Sequence, residues 1–324
     1  MMKSDGERRG SRAERRAHFR EKVKKVVFHG GAKENGLVMK LVVYALLIGI
    51  GFIYLYPILY MLVSAFMNLD DLVNPAVNWM PTQLYLGNFR RATRVLDFFN
   101  TLRMSVFAAS VPAVLQTIVC ALAGYAFARF EFPLKRMWLF LVVATFIIPV
   151  QVTIVPRYIL LHSYGLIGSL NANFLPAAFG QGFRSTIFVL IFYNFFKTYP
   201  KSLDEAAIVD GASKLRVFVR IALPISVPAI IVSILFSFIW YWNETYQTSL
   251  FVGTGFMTMP VRLESFVTEF NRLYPATDGS PVNRINEALR MAGTLLAIAP
   301  LLLLYLCTQK QFVESVETTG ITGE

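Results

Sequence analysis

Ser202-Leu203-Asp204-Glu205-Ala206-Ala207-Ile208-Val209-Asp210-Gly211-Ala212-Ser213 is a polar segment between two long apolar runs, and it continues to Ile221-Ala222-Leu223-Pro224. Its local chemistry predicts two short helices joined by a bend. Ser202 can cap the first helix, and Glu205 three residues later completes a capping box. Gly211 stands where the end of a helix needs a left-handed residue, and Ser213 can cap the second helix. The segment is therefore predicted to be a structured helical loop.

The second predicted helix carries an apolar face. Leu215, Phe218, Val219 and Ala222 fall at helical spacing, while the basic side chains lie largely on other faces. Pro224 then begins the next apolar run. A plainer interpretation is that Glu205 is only a helix cap and Gly211 only a bend. Both interpretations of these two residues can hold together.

The composition indicates a membrane protein. The chain has 324 residues, of which 55% are hydrophobic and only 16% are charged, and this is too apolar for an ordinary soluble protein. Several apolar stretches reach the roughly 20 residues that a helix needs to span the bilayer core. The basic N-terminal stretch and the long first apolar run do not fit a cleavable signal peptide.

The net charge of +11 is distributed like that of an inner-membrane protein. Twelve of the 31 Lys and Arg residues precede Leu41, and nine more fall in loops that we predict to be cytoplasmic. This asymmetry follows the positive-inside rule. The basic stretch lacks interleaved aromatic residues, so we expect it to lie against anionic lipid headgroups and expect no nucleic-acid partner.

The predicted fold class is an all-α polytopic membrane protein with six transmembrane helices and a cytoplasmic coupling-helix loop. Pro57 is expected to kink the first span, and Pro149 and Pro156 to bend the third. Both termini are then cytoplasmic. The six predicted spans cover residues 37–66, 101–128, 137–161, 174–196, 225–251 and 287–308. The predicted domains are a basic tail (1–36), a six-span domain (37–308) with its coupling loop (197–224) and outer segment (253–286), and a C-terminal tail (309–324).

The fifth predicted span carries a polar and aromatic group near its middle, Trp240-Tyr241-Trp242-Asn243-Glu244. A carboxylate at that depth is costly unless it faces a cavity or a partner. Helical spacing places Trp240 and Tyr241 on the face of Glu244 and points Trp242 towards lipid or a neighbouring helix. Trp240, Tyr241, Asn243 and Glu244 are therefore candidate pathway residues. The alternative is that Glu244 makes a structural hydrogen bond or ion pair with a second subunit.

The order and spacing of the loop residues resemble the coupling loop of ABC-importer permeases. The run consists of Glu205-Ala206-Ala207, Gly211 after three residues, Ile221 after nine more, and then Leu223-Pro224. In that family a separate ATPase subunit grips the membrane subunit through this loop. The resemblance implies that the ATPase-coupling residues are Glu205, Ala206, Ala207, Asp210, Gly211, Leu215, Phe218, Ile221, Leu223 and Pro224.

The resemblance extends from about Tyr56 to Gly323, and further motifs follow in the expected order. They are Trp79-Met80-Pro81, Asn88-Phe89, the turn from Tyr125 to Arg129, Trp242-Asn243-Glu244, and Gln311-Phe312-Val313 leading to Gly320. Together they resemble the shorter membrane subunit of maltose-type importers, which are type I ABC importers of the bacterial inner membrane. Such a subunit works with a homologous second permease, two ATP-binding cassette subunits and an extracytoplasmic solute-binding protein. The family pattern also implies that the tail residues Glu317, Thr318, Thr319 and Gly320 contact the ATPases.

Two features depart from the family pattern. The basic tail is longer than usual, and the outer segment 253–286 is extended, with Phe266, Phe270 and Tyr274 among polar residues. Because the binding protein meets that region in the family, the extension bears on substrate size and docking geometry. The whole pattern is similar to an importer subunit for alginate, an acidic polysaccharide. A bare carboxylate in the path of an acidic glycan would be unhelpful, so alginate would favour a structural role for Glu244.

The motifs of an enzyme are absent from the sequence. No G-x-x-x-x-G-K-[ST] run is present, so ATP and Mg²⁺ are expected on partner subunits and no cofactor on this chain. No Ser-His-Asp set or paired catalytic carboxylates stand in a soluble region. Cys120 and Cys307 lie singly in apolar runs, and His162 has no neighbour at ligand spacing, so no metal site is predicted.

Two other classes of membrane protein compete with the importer. A secondary transporter driven by an ion gradient would need paired ionisable residues in repeat-related spans, and only Glu244 is a clear candidate. A scaffold or sensor would carry an appended soluble domain of at least ~50 residues. Neither pattern is visible, so the prediction is a permease subunit of an ATP-driven importer for an oligo- or polysaccharide. Co-purification with an ATPase and a second permease would separate these classes.

Overall fold

The computed structural model describes residues 37–76, 79–253, 255–275 and 285–318, and these residues form helices without strands. The predicted basic tail over 1–36 lies outside the described ranges. The first eight helices are α1 (Leu37–Ala65), α2 (Leu69–Val73), α3 (Gly87–Leu96), α4 (Phe98–Arg129), α5 (Lys135–Ile147), α6 (Val150–Ser163), α7 (Asn171–Ala178) and α8 (Ser185–Thr198). A π-helical turn over Phe218–Ala222 separates α10 from α11 in the second half of the chain. That half contains α9 (Lys201–Val209), α10 (Lys214–Val217), α11 (Leu223–Ile225), α12 (Val227–Asn243), α13 (Tyr246–Val252), α14 (Met259–Glu264), α15 (Phe266–Leu273) and α16 (Glu287–Thr318).

The chain forms two compact units, and the smaller one contains the first helix up to Val63. Its side chains are exposed from residue 38 to residue 59 except at Gly51, and Pro57 lies inside the helix. The ring of Tyr56 packs edge-on against Trp79, with 5.3 Å between the ring centroids. An apolar helix with exposed side chains over this length suits a lipid environment.

Among the described residues, three helices are long and apolar enough to cross a membrane, and they are α1, α4 and the part of α16 up to Lys310. They match the first, second and sixth predicted spans. Two helix pairs are also long and apolar enough to cross a membrane if each bent pair is counted as one span, which gives up to five spans. The pair α5 and α6 is bent by 101°, and the pair Lys214–Ile225 and α12 by 77°.

The bend predicted for the third span is confirmed, and it is a complete break at Ile148 and Pro149. Pro149 has no amide hydrogen and forces the residue before it out of the helical region. Ile148 accordingly ends α5 in an extended conformation. At Pro156, the second predicted bend, the helix is not interrupted, because Pro156 lies inside α6.

The prediction of one continuous fourth span over 174–196 is wrong, because α7 ends at Ala178 and α8 begins at Ser185. Gly180 has a φ of +70° and closes α7: its amide donates to Ala177, and the Gln181 amide donates to Pro176. This is the Schellman pattern of a helix C-terminus. The pair Gly180 and Gly182 was the sequence signal for this stop.

The fifth predicted span is also interrupted, and its start differs from the prediction. Pro224 belongs to α11, the chain turns at the buried Ser226, and α12 begins at Val227. The helix then ends at Asn243, because Glu244 adopts an extended conformation. Glu244 therefore lies between two helices and not in the middle of one.

The core of the larger unit is built around α4, which packs along α8 and α12. Small residues on α4 allow this close approach, as they do in many membrane helix pairs. Gly124 is the tightest such point: a Cβ there would lie 2.5 Å from Phe192 Cβ and 2.8 Å from the Tyr193 amide nitrogen. Phe188, Phe192 and Phe196 of α8 are fully buried against this helix and its neighbours.

A second part of the core lies where α3, α15 and α16 meet. Phe266 and Phe270 of the predicted outer extension are 3% and 0% exposed, so these two aromatic residues pack inwards. The ring of Phe266 lies against Gly293 of α16, where a Cβ would come within 2.8 Å of it. The tip of the outer segment, residues 276–284, is outside the described residues.

Replacing Gly124 by alanine is expected to destabilise the protein by about 1–3 kcal/mol, because α4 and α8 must separate to admit the methyl group. Gly49→Ala is the matched control, since a Cβ at Gly49 meets nothing within 4 Å. The measurement is the thermal unfolding midpoint of each purified variant in detergent. Equal midpoints for the two variants would show that the α4–α8 contact does not limit stability.

Candidate functional site

The polar segment after α8 forms the predicted pair of short helices. Gly211 has a φ of +81° and ends α9 in a Schellman motif: its amide donates to Ile208, and the Ala212 amide donates to Ala207. Ser213 caps α10 by accepting a 3.4 Å hydrogen bond from the Arg216 amide. The bend at Gly211 and the cap at Ser213 were both predicted from the sequence.

The capping box predicted for Ser202 and Glu205 is wrong. The first helix begins at Lys201, its N-cap position is Pro200, and no side chain caps it. Proline has a φ that suits the start of a helix, so Pro200 sets the start ahead of Ser202. Ser202 and Glu205 are both exposed on the first turns of α9.

Asp204 fastens α9 to the end of α4. Its Oδ2 lies 3.3 Å from Arg129 Nε, and its Oδ1 accepts a 2.5 Å hydrogen bond from the Tyr199 hydroxyl. Arg129 Nη2 donates to the Tyr199 carbonyl at 2.7 Å, and the guanidinium lies 3.8 Å from the centre of the Tyr199 ring. The side chain of Arg129 is 4% exposed and that of Asp204 is 12% exposed. We call Arg129, Tyr199 and Asp204 the anchor.

The three groups of the anchor depend on one another. Removing one partner of a buried ion pair leaves an uncompensated charge, which is far more costly than losing an exposed pair. The pKa of Tyr199 is raised by burial and by its hydrogen bond to Asp204, so its hydroxyl keeps its proton at neutral pH and remains a donor. The anchor therefore sets the position of α9 relative to α4.

Aromatic packing holds the second helix of the loop in the same way. The ring of Tyr125 lies 4.9 Å from that of Phe218 and 5.3 Å from that of Phe196. Phe218 and Val217 are buried, whereas Leu215 is 66% exposed and Val219 is 50% exposed. The apolar face predicted for this helix is therefore divided into a buried part and an exposed part.

The loop presents an apolar face to its surroundings. Val209 is 86% exposed and lies next to the bend at Gly211, and Leu203, Ile208, Leu215 and Val219 are also exposed. We call these five residues the exposed loop face. Of the predicted coupling residues, Phe218 is buried and Ala207, Ile221 and Leu223 are half-buried. The exposed ones are Glu205, Ala206, Asp210, Gly211, Leu215 and Pro224.

The predicted pathway residues do not share one face. Tyr241 is buried, and its hydroxyl donates to Gln116 Oε1 at 3.0 Å and accepts from the Phe183 amide at 3.2 Å. Trp240 is half-buried with its ring 5.2 Å from that of Phe188, and Asn243 is exposed. Tyr241 thus joins α4 to the start of α8.

Glu244 does not lie on a helical face with Tyr241, because α12 ends before it. Its Oε1 accepts a 2.8 Å hydrogen bond from the Gln247 amide at the start of α13. Trp242 was expected to point to lipid or to a neighbouring helix. It is 3% exposed and belongs to the core, so it packs inside the protein and not against lipid. The carboxylate at 244 has a structural partner in its own chain.

Several residues that organise the site were missed by the sequence reasoning. Asp204 and Tyr199 belong to the anchor, and Gln116 and Phe183 hold Tyr241. Asp204 was visible as an acidic residue in the first turn of α9, but its partner is 75 positions earlier in the chain. No local pattern reports such a contact.

Comparison with known proteins places this arrangement in a family. Residues 88–317, which include the anchor and the whole loop, match the model of the binding-protein-dependent transport system inner membrane component. The chain belongs to this family. The prediction of an ABC-importer permease is thereby confirmed, and the protein is a multi-pass subunit of the inner membrane that transports and is not an enzyme.

Curated relatives of the permease cover most of its length. The probable ABC transporter permease protein YurM of Bacillus subtilis is 30% identical over 84% of this chain and 86% of its own. The polygalacturonan/rhamnogalacturonan transport permease YtcP of the same species is 26% identical over 87% and 98%. The diacetylchitobiose uptake permease DasC of Streptomyces coelicolor is 28% identical over 83% and 92%.

A solved structure shows the same fold. It is a chain of a bacterial ABC transporter involved in the import of the acidic polysaccharide alginate, with a TM-score of 0.68 and 18% identity. The match covers 85% of the permease and 96% of that chain. Of the predicted tail contacts, Glu317 and Thr318 end α16, while Thr319 and Gly320 lie outside the described residues.

Replacing Asp204 by alanine is expected to destabilise the permease by about 3–5 kcal/mol, because Arg129 then remains buried without its carboxylate. The control is Asp210→Ala, which removes an exposed carboxylate from the other end of the same helix. Thermal unfolding in detergent measures both. The double variant Arg129→Met/Asp204→Leu, which removes both charges, should recover part of the loss, and a double variant less stable than Asp204→Ala would contradict the anchor.

Proposed function

We propose that this chain is one of two homologous permease subunits of an ATP-driven importer and that the segment 197–224 couples it to ATPase subunits. The observation that carries the proposal is a loop fixed to the membrane helices by the anchor while it presents the exposed loop face. A segment that transmits movement between two subunits needs both properties. It must be held rigidly by its own subunit, and it must bind the other subunit.

The exposed loop face supports a protein partner. Five large apolar side chains are exposed between Leu203 and Val219, and about 25 cal/mol is gained per Å² of apolar surface removed from water. Glu205 and Asp210 flank this face and can give the contact its specificity. ATP and Mg²⁺ would bind to the ATPase subunits, and this chain would need no cofactor.

The membrane arrangement proposed for the permease has six spans with both termini in the cytoplasm. The spans are α1, α4, the bent pair of α5 and α6, the broken segment of α7 and α8, the segment of α12 and α13, and α16. The fourth counts as a span because α7 and α8 are both apolar, although α8 has only 14 residues. An even number of spans places the anchor, the loop and both tails on the side that carries most of the positive charge.

The substrate class proposed is an oligo- or polysaccharide delivered by an extracytoplasmic binding protein, with alginate as the candidate. Several relatives are named for the transport of glycans or their degradation products, and one of these glycans, polygalacturonan, is a uronate polymer. The structural neighbour belongs to an importer of an acidic polysaccharide, but that likeness supports the fold alone. An ion-gradient-driven transporter is the weaker alternative, because only Glu244 is a clear candidate group and its Oε1 accepts a hydrogen bond from the Gln247 amide.

Gly211→Leu is expected to uncouple ATP hydrolysis from transport, because a φ of +81° strains every L residue with a bulky side chain. Space is not the limitation, since a Cβ there meets nothing within 4 Å. Uptake and ATPase activity are measured with the assembled complex in proteoliposomes.

Two control variants make the result at Gly211 specific. Gly211→Asn should retain most of the transport, because asparagine tolerates the left-handed region. Gly165→Leu introduces the same backbone strain at a φ of +66° in open space outside the loop, and should leave coupling intact. Wild-type transport and complex yield for Gly211→Leu would show that this loop does not dock the ATPase.

Removing all residues after Val316 is expected to lower transport or to change basal ATP hydrolysis, because the tail is proposed to reach the ATPases. The rate of ATP hydrolysis in proteoliposomes, with and without binding protein, measures this. Replacing residues 317–324 by a Gly-Ser segment of the same length distinguishes sequence from length. Unchanged rates for both variants would mean that the tail is only a frayed terminus.

A further inference from the structure

The breaks in the fourth and fifth spans of the permease meet at one level of the larger unit. Phe183, in the break before α8, receives a 2.8 Å hydrogen bond at its carbonyl from Gln116 of α4. Tyr241, near the end of α12, binds both Gln116 and the Phe183 amide. A Cβ at Gly182 would overlap Gln116 Oε1 and the Tyr241 hydroxyl, so only glycine fits there. These contacts fix the backbone of the break.

This level lies inside the proposed membrane layer. Gln116 precedes Arg129 of the anchor by 13 residues on one helix, which corresponds to about 20 Å along the helix axis. Ser185 precedes Thr198 by the same number of residues on α8. The hydrocarbon core of a bilayer is about 30 Å thick, so the breaks stand within it and away from the cytoplasmic end.

Arg157 brings the third span to the same place. It belongs to α6, and its guanidinium lies 5.7 Å from the centre of the Phe183 ring and 5.5 Å from the centre of the Phe251 ring. It is half-buried, and none of the ion pairs or hydrogen bonds between described residues includes its side chain. A cation among aromatic rings at this depth is costly unless an anion or water meets it.

Arg184 supplies a second cation one residue after Phe183. It is exposed, has a φ of +53°, and holds its guanidinium 4.9 Å from the centre of the Trp240 ring. It likewise makes no ion pair among the described residues. Each arginine therefore lies against an aromatic ring, Arg157 against Phe183 and Arg184 against Trp240, the residue before Tyr241.

Glu244 is the acidic residue near this group, and it does not neutralise it. Its carboxylate is near enough to interact electrostatically with Arg157 but forms no ion pair with it, and its Oε1 accepts a hydrogen bond from the Gln247 amide. Two arginines against one carboxylate leave one positive charge in excess. The local balance is positive, and positive charge at membrane depth favours an anionic occupant.

We infer that Arg157 and Arg184 bind carboxylates of the transported glycan, so that the importer selects uronate-containing, acidic oligosaccharides over neutral ones. This rests on the proposed function and adds the specificity-determining residues to it. A guanidinium matches a carboxylate with two parallel hydrogen bonds. Aromatic side chains such as the half-buried Trp240 suit the apolar faces of sugar rings. The two kinds of group together recognise a uronate residue.

The test uses the whole importer in proteoliposomes, with sister permease, ATPase subunits and binding protein. The probes are alginate tetrasaccharide, a galacturonate tetramer and maltotetraose, which is neutral. Wild-type protein should take up an acidic probe at least about tenfold faster than maltotetraose. Arg157→Gln and Arg184→Gln should each lower acidic uptake by about tenfold with complex yield unchanged. Arg157→Lys keeps the charge and should restore part of the uptake.

Two further variants separate anion binding from other roles of the arginines. Arg103→Gln is the matched control, because Arg103 is an exposed arginine elsewhere on α4, and its removal should change nothing. Glu244→Gln keeps the acceptor that caps Gln247 but removes the negative charge, so the apparent KM for an acidic probe should stay equal or fall. If Glu244→Gln instead abolishes uptake as the arginine variants do, Arg157 and Glu244 form a structural pair and the inference is wrong.

The remaining outcomes are also decisive. Uptake of maltotetraose in place of the acidic probes would overturn the inference while leaving the ATP-driven importer intact. Full acidic uptake by both arginine-to-glutamine variants would do the same. If the complex with Arg157→Gln does not assemble, the exposed Arg184→Gln becomes the test. If neither variant assembles, the arginines make subunit contacts and do not bind substrate. Uptake that does not depend on ATP for any of the probes would instead refute the proposed function.

Discussion

The buried ion pair between Arg129 and Asp204 is the contact on which the rest of the arrangement depends. It joins the C-terminal end of the central helix α4 to the first helix of the loop, and the Tyr199 hydroxyl completes it. Without it, α9 would lose its ion pair to α4, although the aromatic packing of Phe218 would still hold the second helix of the loop. With it, a force on the exposed loop face passes directly into α4, which packs along α8 and α12. The anchor makes the loop part of the helix bundle.

The same central helix carries the second organising contact about 20 Å away. Gln116 holds the Phe183 carbonyl and the Tyr241 hydroxyl, and these two residues belong to spans that break at this level. Broken helices in a membrane are tolerated where protein or cavity water satisfies the freed backbone groups. Here a buried amide and a buried phenol do so. One continuous helix thus connects the end that carries the anchor with the level at which α8 starts and α12 ends.

Much of this molecule follows from local sequence. The apolar runs predict six spans, of which three are single unbroken helices among the described residues. Gly211 predicts the bend of the loop, and Ser213 predicts the second cap. The remainder depends on contacts between distant residues or on competing signals. The fourth span stops at Gly180 and Gly182, although the mostly apolar run around them predicts one helix. The first helix of the loop begins after Pro200, ahead of the predicted cap at Ser202. Asp204 and Gln116 have partners many positions away, so their roles emerge only from the packed structure.

The central claim is that the exposed loop face is the contact with an ATPase subunit. Cross-linking tests it directly: Val209→Cys, in a chain with the exposed Cys307 replaced by serine, is labelled with a short thiol-to-amine cross-linker in the ATP-hydrolysing complex. Phe99→Cys, 76% exposed at the other end of α4, is the control. The account predicts a covalent permease–ATPase product from position 209 and none from position 99. Absence of that product at 209 in an active complex, or equal yields from both positions, would contradict it.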